Sequence, residues 1–148
     1  MIRGFAKQMA VALTMGGALF AVACGDGDTK VVEIESPRAG ATLTRIDDID
    51  PATEGVQIEV QVAIVNEDPG EEVWLYRDAN ALDGLDDSEL PAPDAIGDLG
   101  DDGRLLLTLT LQPGLNTLLA CTEGCSVRSR VVEVTLNDTC GGVVFIDP

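Results

Sequence analysis

The feature that most limits how this chain can fold is the run Val56-Gln57-Ile58-Glu59-Val60-Gln61-Val62-Ala63-Ile64, in which alternate residues are β-branched and apolar. Successive side chains of a strand point to opposite faces, so a period of two buries one face and wets the other, whereas a helix needs apolar residues three and four apart. The same alternation runs through Val32-Glu33-Ile34-Glu35, Leu105-Leu106-Leu107-Thr108-Leu109-Thr110-Leu111 and Val132-Glu133-Val134-Thr135-Leu136. Residues 41–45, 72–77 and 115–121 are weaker candidates. Turn signals at Pro37-Arg38-Ala39-Gly40, Asp68-Pro69-Gly70 and Gln112-Pro113-Gly114 separate them. About seven short strands in a chain the length of one domain predict an all-β fold, a two-sheet antiparallel sandwich.

Residues 78–103 break the pattern with 26 residues that include nine acids, Pro91 and Pro93, and no base. Loops of this length are usually functional or poorly ordered. The composition predicts a mobile, acidic, partly anchored excursion; the alternative is a short turn or strand at Ser88-Glu89-Leu90 and Ala95-Ile96 packed on the sandwich.

Val31-Val32-Glu33-Ile34-Glu35-Ser36-Pro37-Arg38-Ala39-Gly40-Ala41-Thr42-Leu43 is similar to the opening of bacterial immunoglobulin-like repeats, where a strand runs into a Ser-Pro and a Gly-containing turn. Leu111-Gln112-Pro113-Gly114-Leu115-Asn116-Thr117-Leu118 resembles the turn into their penultimate strand. The resemblance covers most of residues 30–138. It implies an immunoglobulin-like β-sandwich serving as a spacer, adhesion module or accessory domain, with no catalytic residues to carry over. Trp74 and Tyr76 would project to one face of the strand at 72–77 and Val73 and Leu75 to the other. A Trp on that strand of such a sandwich is usually core, which places Trp74 inside. The alternative is an exposed aromatic platform for a glycan or protein.

Residues 1–23 carry Arg3 and Lys7, no acid, and a 14-residue stretch from Met9 to Val22 whose only polar side chain is Thr14, the composition of a signal peptide. Spanning a bilayer takes about 20 apolar residues, and no later segment is apolar enough. Leu19-Phe20-Ala21-Val22-Ala23-Cys24-Gly25-Asp26 resembles the lipobox of bacterial lipoproteins, small residues before a Cys that becomes the lipidated N-terminus, with Ala21 standing where Leu is commonest. The resemblance implies lipidation at Cys24, residues 24–29 as a tether, and a membrane anchor in the bacterial cell envelope, at the outer membrane or cell surface. Ala21 and Ala23 also satisfy the small-x-small rule of ordinary signal peptidase. That leaves a secreted protein with a free Cys24 as the alternative.

The chain has 26 acids, 9 bases and no His. Residues 24–148 keep 7 of those bases, a net charge of −19, and eighteen acids lie between Asp47 and Asp102 against Arg77 alone. This charge repels phosphate backbones and excludes nucleic acid as a partner. The lack of His removes the usual general base and the commonest zinc ligand. Paired-carboxylate glycoside chemistry wants a deep aromatic-lined cleft, yet Trp74, Tyr76 and Phe145 are the only aromatics after residue 23. Ser–Lys chemistry has only Lys30, at the end of the tether. The expectation is a non-enzymatic binding, adhesion or structural module without a cofactor, its partner an envelope protein or glycan.

The competing expectation is weak calcium-dependent binding through the acidic loop. Asp98-Leu99-Gly100-Asp101-Asp102-Gly103 puts acids at positions one and five and Gly at six of an EF-hand loop, but Gly100 takes position three and Leu109 takes twelve, where a bidentate Glu is needed. Starting at Asp78 puts Glu89 at twelve, with Leu82 at five and Gly84 one residue late. Asp98, Asp101 and Asp102 are thus candidates for a site of about millimolar affinity at best.

Cys121 and Cys125 are spaced as a hairpin, not a zinc knuckle, and Gly124 can supply the positive φ of a three-residue loop. A Cys121–Cys125 disulfide with Cys140 unpaired is expected in an oxidising compartment. Pairing of either with Cys140 is the rival, and an unlipidated Cys24 would make two disulfides. Residues 139–148 form a tail in which Val143-Val144-Phe145-Ile146-Asp147-Pro148 echoes Val31-Val32-Glu33-Ile34-Glu35-Ser36-Pro37, as a truncated second repeat would.

Overall fold

A computed structural model describes residues 29–138. Eight strands follow in order: β1 (Val31–Ser36), β2 (Ala41–Leu43), β3 (Val56–Val65), β4 (Glu72–Tyr76), β5 (Ala95–Asp98), β6 (Arg104–Leu111), β7 (Gly114–Thr122) and β8 (Val132–Leu136). They form a three-stranded sheet ordered β1-β3-β6 and a five-stranded sheet ordered β2-β8-β7-β4-β5. Taking β1, β3 and β6 as first, second and fifth strands and β4, β7 and β8 as third, sixth and seventh, this is the strand order of an immunoglobulin-like sandwich.

The period-two run does what its chemistry requires. Val56, Ile58, Val60, Val62 and Ile64 of β3 are all buried, and β3 is the central strand of its sheet, paired antiparallel with β1 and β6. Opposite them, Leu75 of β4, Leu118 and Ala120 of β7 and Val134 of β8 are fully enclosed. Burying one such side chain gains about 1.5–3 kcal/mol, which makes this layer the main source of stability.

Two features differ from the sequence reading. β2 pairs with β8 in parallel, Ala41 opposite Val134 and Leu43 opposite Leu136, so the sandwich is not wholly antiparallel. Alternation marks a strand but carries no information on its partner or direction. The excursion, in turn, contributes the eighth strand: β5 pairs with β4, and Leu99 just beyond it enters the core. This is the alternative of a short strand at Ala95-Ile96, in place of a mobile excursion. Gly97 makes the fit possible, since a Cβ there would lie 2.9 Å from Leu105 Cδ1 and from Leu107 Cδ2.

Trp74 does not lie in the sandwich core, against expectation. The β4–β7 register pairs Leu75 with Ala120 on the inner face and leaves Trp74 opposite Cys121 and Tyr76 opposite Leu119 on the outer one. The platform alternative fails as well for Tyr76, which is buried. Residues 77–94 fold back over this outer face and place Ala79 and Leu82 against Tyr76, Leu119, Cys121 and Cys125, with Trp74 half-buried at the margin. The sheet is therefore covered on both faces here, which explains why β7 is buried from Asn116 to Thr122 without alternation.

Candidate binding groove

Among the described residues β1 is an outer strand whose one sheet partner is β3. Between β1 and residues 127–132 lies an open groove of about 740 Å³, with Val31, Glu33, Arg38, Arg128, Arg130 and Val131 among its lining residues. That volume falls within the ~300–1,000 Å³ of ligand pockets. Val31 and Val131 are 49% and 48% exposed, so the groove offers water an apolar floor. Lys30 also lines it. Four of the seven bases in residues 24–148 thus meet in one place on an acidic chain.

Those charges differ in their engagement. Lys30 Nζ sits 2.6 Å from Glu67 Oε2; this ion pair holds the Glu67 carboxyl below its ordinary range and raises the Lys30 amine. Glu35 accepts two hydrogen bonds from Arg104, Nε at 2.9 Å and Nη2 at 3.1 Å, and a third from Gln61 Nε2 at 2.9 Å. The Arg104 guanidinium pulls the Glu35 carboxyl down in consequence. Arg128 Nε donates to the Cys125 carbonyl at 3.2 Å. The guanidiniums of Arg38 and Arg130 are exposed and make no hydrogen bond or ion pair among the described residues. With Lys30 and Glu35 each neutralised and Arg128 held to the Cys125 carbonyl, Arg38 and Arg130 stand against Glu33. The groove is locally positive.

The disulfide supports this wall. Cys121 and Cys125 are bonded, with their Cα atoms 4.9 Å apart, and Gly124 takes φ +67° as the loop reading required. They are not facing residues of a hairpin, however: Arg128 lies opposite Cys121 in an isolated antiparallel bridge, and Cys125 reaches back from the 3₁₀ turn Glu123–Cys125. The turn presents its Cys125 carbonyl to Arg128, so the bond that closes the outer cluster also fixes one side of the groove. Burial in that cluster pushes the Tyr76 phenol above its ordinary pKa, while its Oη donates to Pro91 O at 3.2 Å.

The acidic residues singled out for calcium lie elsewhere. Asp98 ends β5, and Asp101 and Asp102 sit in the turn before β6, where Asp102 Oδ1 accepts the Arg104 N–H at 3.2 Å. All three are exposed, and no group of three or more His, Cys, Asp or Glu among the described residues could share a metal ion. Cys24, Cys140, residues 1–23 and the repeat-like 143–148 lie outside the described residues. No helix among the described residues is long and apolar enough to cross a membrane. The groove was not visible as a site in the sequence. One signal was present: from Gly124 to Val132 the chain carries Arg128 and Arg130 and no acid. Arg38, ninety positions away from Arg128, joins them only through the fold.

No family model and no curated protein matches this chain. Among solved structures it is similar to a modular endo-β-1,4-mannanase from Cellulomonas fimi, at 22% identity and a TM-score of 0.39, over 75% of this chain and 19% of that one. The chain thus spans about a fifth of the mannanase chain, and a likeness at this level carries no argument about what it does.

Proposed function

We propose that this chain is a non-enzymatic lipoprotein of a bacterial cell envelope, anchored through Cys24 and acting as a binding or adhesion module. The groove beside β1 carries the binding part of this reading. Arg38 and Arg130 hold their charges outward without an internal partner, at an apolar cleft, and such a combination suits a ligand that brings both carboxylates and apolar surface. The lipobox-like Leu19-Phe20-Ala21-Val22-Ala23-Cys24 supports the anchor, and the strand order agrees with the resemblance to bacterial immunoglobulin-like repeats.

The test of the anchor is Cys24→Ser expressed in a native-type host and followed by fractionation. A single acyl chain binds membranes only marginally, whereas the several chains of a mature lipoprotein hold firmly. Wild type should sediment with membranes and Cys24→Ser should not, with unchanged melting of the folded part. A wild-type protein found wholly in the soluble fraction contradicts the reading.

A further inference from the structure

The geometry points to strand addition: the groove takes an extended, acidic segment of a partner polypeptide as an extra strand on the edge of β1 that no described residue pairs with. This deepens the binding reading above and rests on it.

The backbone is the first reason. The Ile64 N–H donates to Gly103 O at 2.9 Å, on the β6 side, so Ile64 turns its hydrogen-bonding groups away from β1. Val32 stands opposite Ile64 and is therefore the non-hydrogen-bonded member of the β1–β3 ladder, with its own N–H and C=O directed away from β3. Ile34, opposite Val62, has the same parity. Both residues line the groove. A row of outward N–H and C=O groups on an edge strand is a template for another strand.

Charge selects the occupant. Two guanidiniums without an internal partner, those of Arg38 in the turn after β1 and Arg130 on the side opposite the β1 edge, line the groove against the single unpaired carboxylate of Glu33, while Arg128 is held to the Cys125 carbonyl. Acidic side chains on the incoming strand meet this wall, and alternate apolar ones meet Val31 and Val131. A second copy offering its own β1 would set Glu33 and Glu35 against their like, which is unfavourable for directly facing charges. A strand of five residues spans about 17 Å, enough to run along β1.

The experiment uses the full chain carrying Cys24→Ser and fluorescence polarisation of labelled decapeptides. The probes are an alternating Glu/Val peptide, its Lys/Val counterpart, and two Glu/Val peptides N-methylated at even or odd positions. The account expects saturable binding of Glu/Val, weakened about tenfold in Lys/Val, in one N-methylated parity but not the other, and in Arg38→Ala/Arg130→Ala. Both Arg residues are exposed, so that variant keeps the fold. Equal binding of both N-methylated peptides would mean simple anion attraction and overturn strand addition, while leaving the groove a binding site. So would oligogalacturonate displacing the peptide with at least tenfold higher affinity, which would make the occupant a glycan. Dimerisation in sedimentation velocity that is lost in the double variant would make it a second copy. No binding by any probe would overturn the groove itself, and the Cys24→Ser fractionation would still report on the anchor.

Discussion

Trp74 stands directly opposite Cys121 across the β4–β7 ladder, on the face of the five-stranded sheet turned away from the sandwich core. Cys121 is tied to Cys125, so the indole borders a disulfide that closes the outer cluster. Closing a loop of only five residues stabilises by about 2 kcal/mol through the unfolded chain. Cys121→Ala/Cys125→Ala should lower the free energy of chemical unfolding by that amount and change Trp74 emission in the folded state. Unchanged emission and midpoint would separate Trp74 from the disulfide.

Facing decides the cost of truncation along one fold. Leu75 is fully buried and Leu106 is 59% exposed, though both belong to central stretches of apolar sequence. Leu75→Ala should cost about 2–5 kcal/mol, the range for core leucines that leave a cavity. Leu106→Ala should stay within about 0.5 kcal/mol. Equal losses in urea unfolding would invert the assignment of inner and outer faces.

Gly97 is the position where β5 meets β6 without a side chain between them. A valine there would press on the Leu105 and Leu107 methyls and cost about 1–3 kcal/mol as an overpacked contact. Amide exchange should then quicken at Ala95–Asp98 more than at β3. Slow exchange retained throughout β5 would show that the edge tolerates the added bulk.

The Glu35–Arg104 pair makes stability depend on pH in a definite direction. Arg104 lowers the Glu35 carboxyl in the folded state, so the pair stabilises above the unfolded carboxylate pKa and its contribution is lost as pH falls through the lower, folded value. Glu35→Gln should therefore melt below wild type at pH 7. The gap should close in acid, once wild-type Glu35 is protonated in both states. A gap that persists at pH 2 would assign the effect to packing rather than charge.

Much of this architecture was legible because burial on one face imposes a period of two, and β3, β6 and β8 carry it plainly. β4 was ambiguous for a physical reason: Val73 and Leu75 compete with Trp74 and Tyr76 for burial, and the structure buries both faces, one in the sandwich and one under the excursion. β5 was legible only as an alternative at Ala95-Ile96, because four residues with a Gly have no period to read; its place comes from pairing with β4 and from the gap above Leu105 and Leu107. The Cys121–Cys125 bond follows from spacing and Gly124, but its turn is not the three-residue hairpin that this spacing suggests, since the chain reverses over a longer stretch to set Arg128 opposite Cys121. The groove was least legible, since Arg38 and Arg130 are brought together by the passage of β1 and β8 in different sheets.

The central claim, a lipid-anchored binding module, is tested most directly by mass analysis of the N-terminal peptide of the native protein extracted from membranes. The account expects a peptide that begins at Cys24 and carries the added mass of several acyl chains, with no peptide from residues 1–23. A peptide beginning at Cys24 without lipid, or one that retains Arg3 and Lys7, would contradict it.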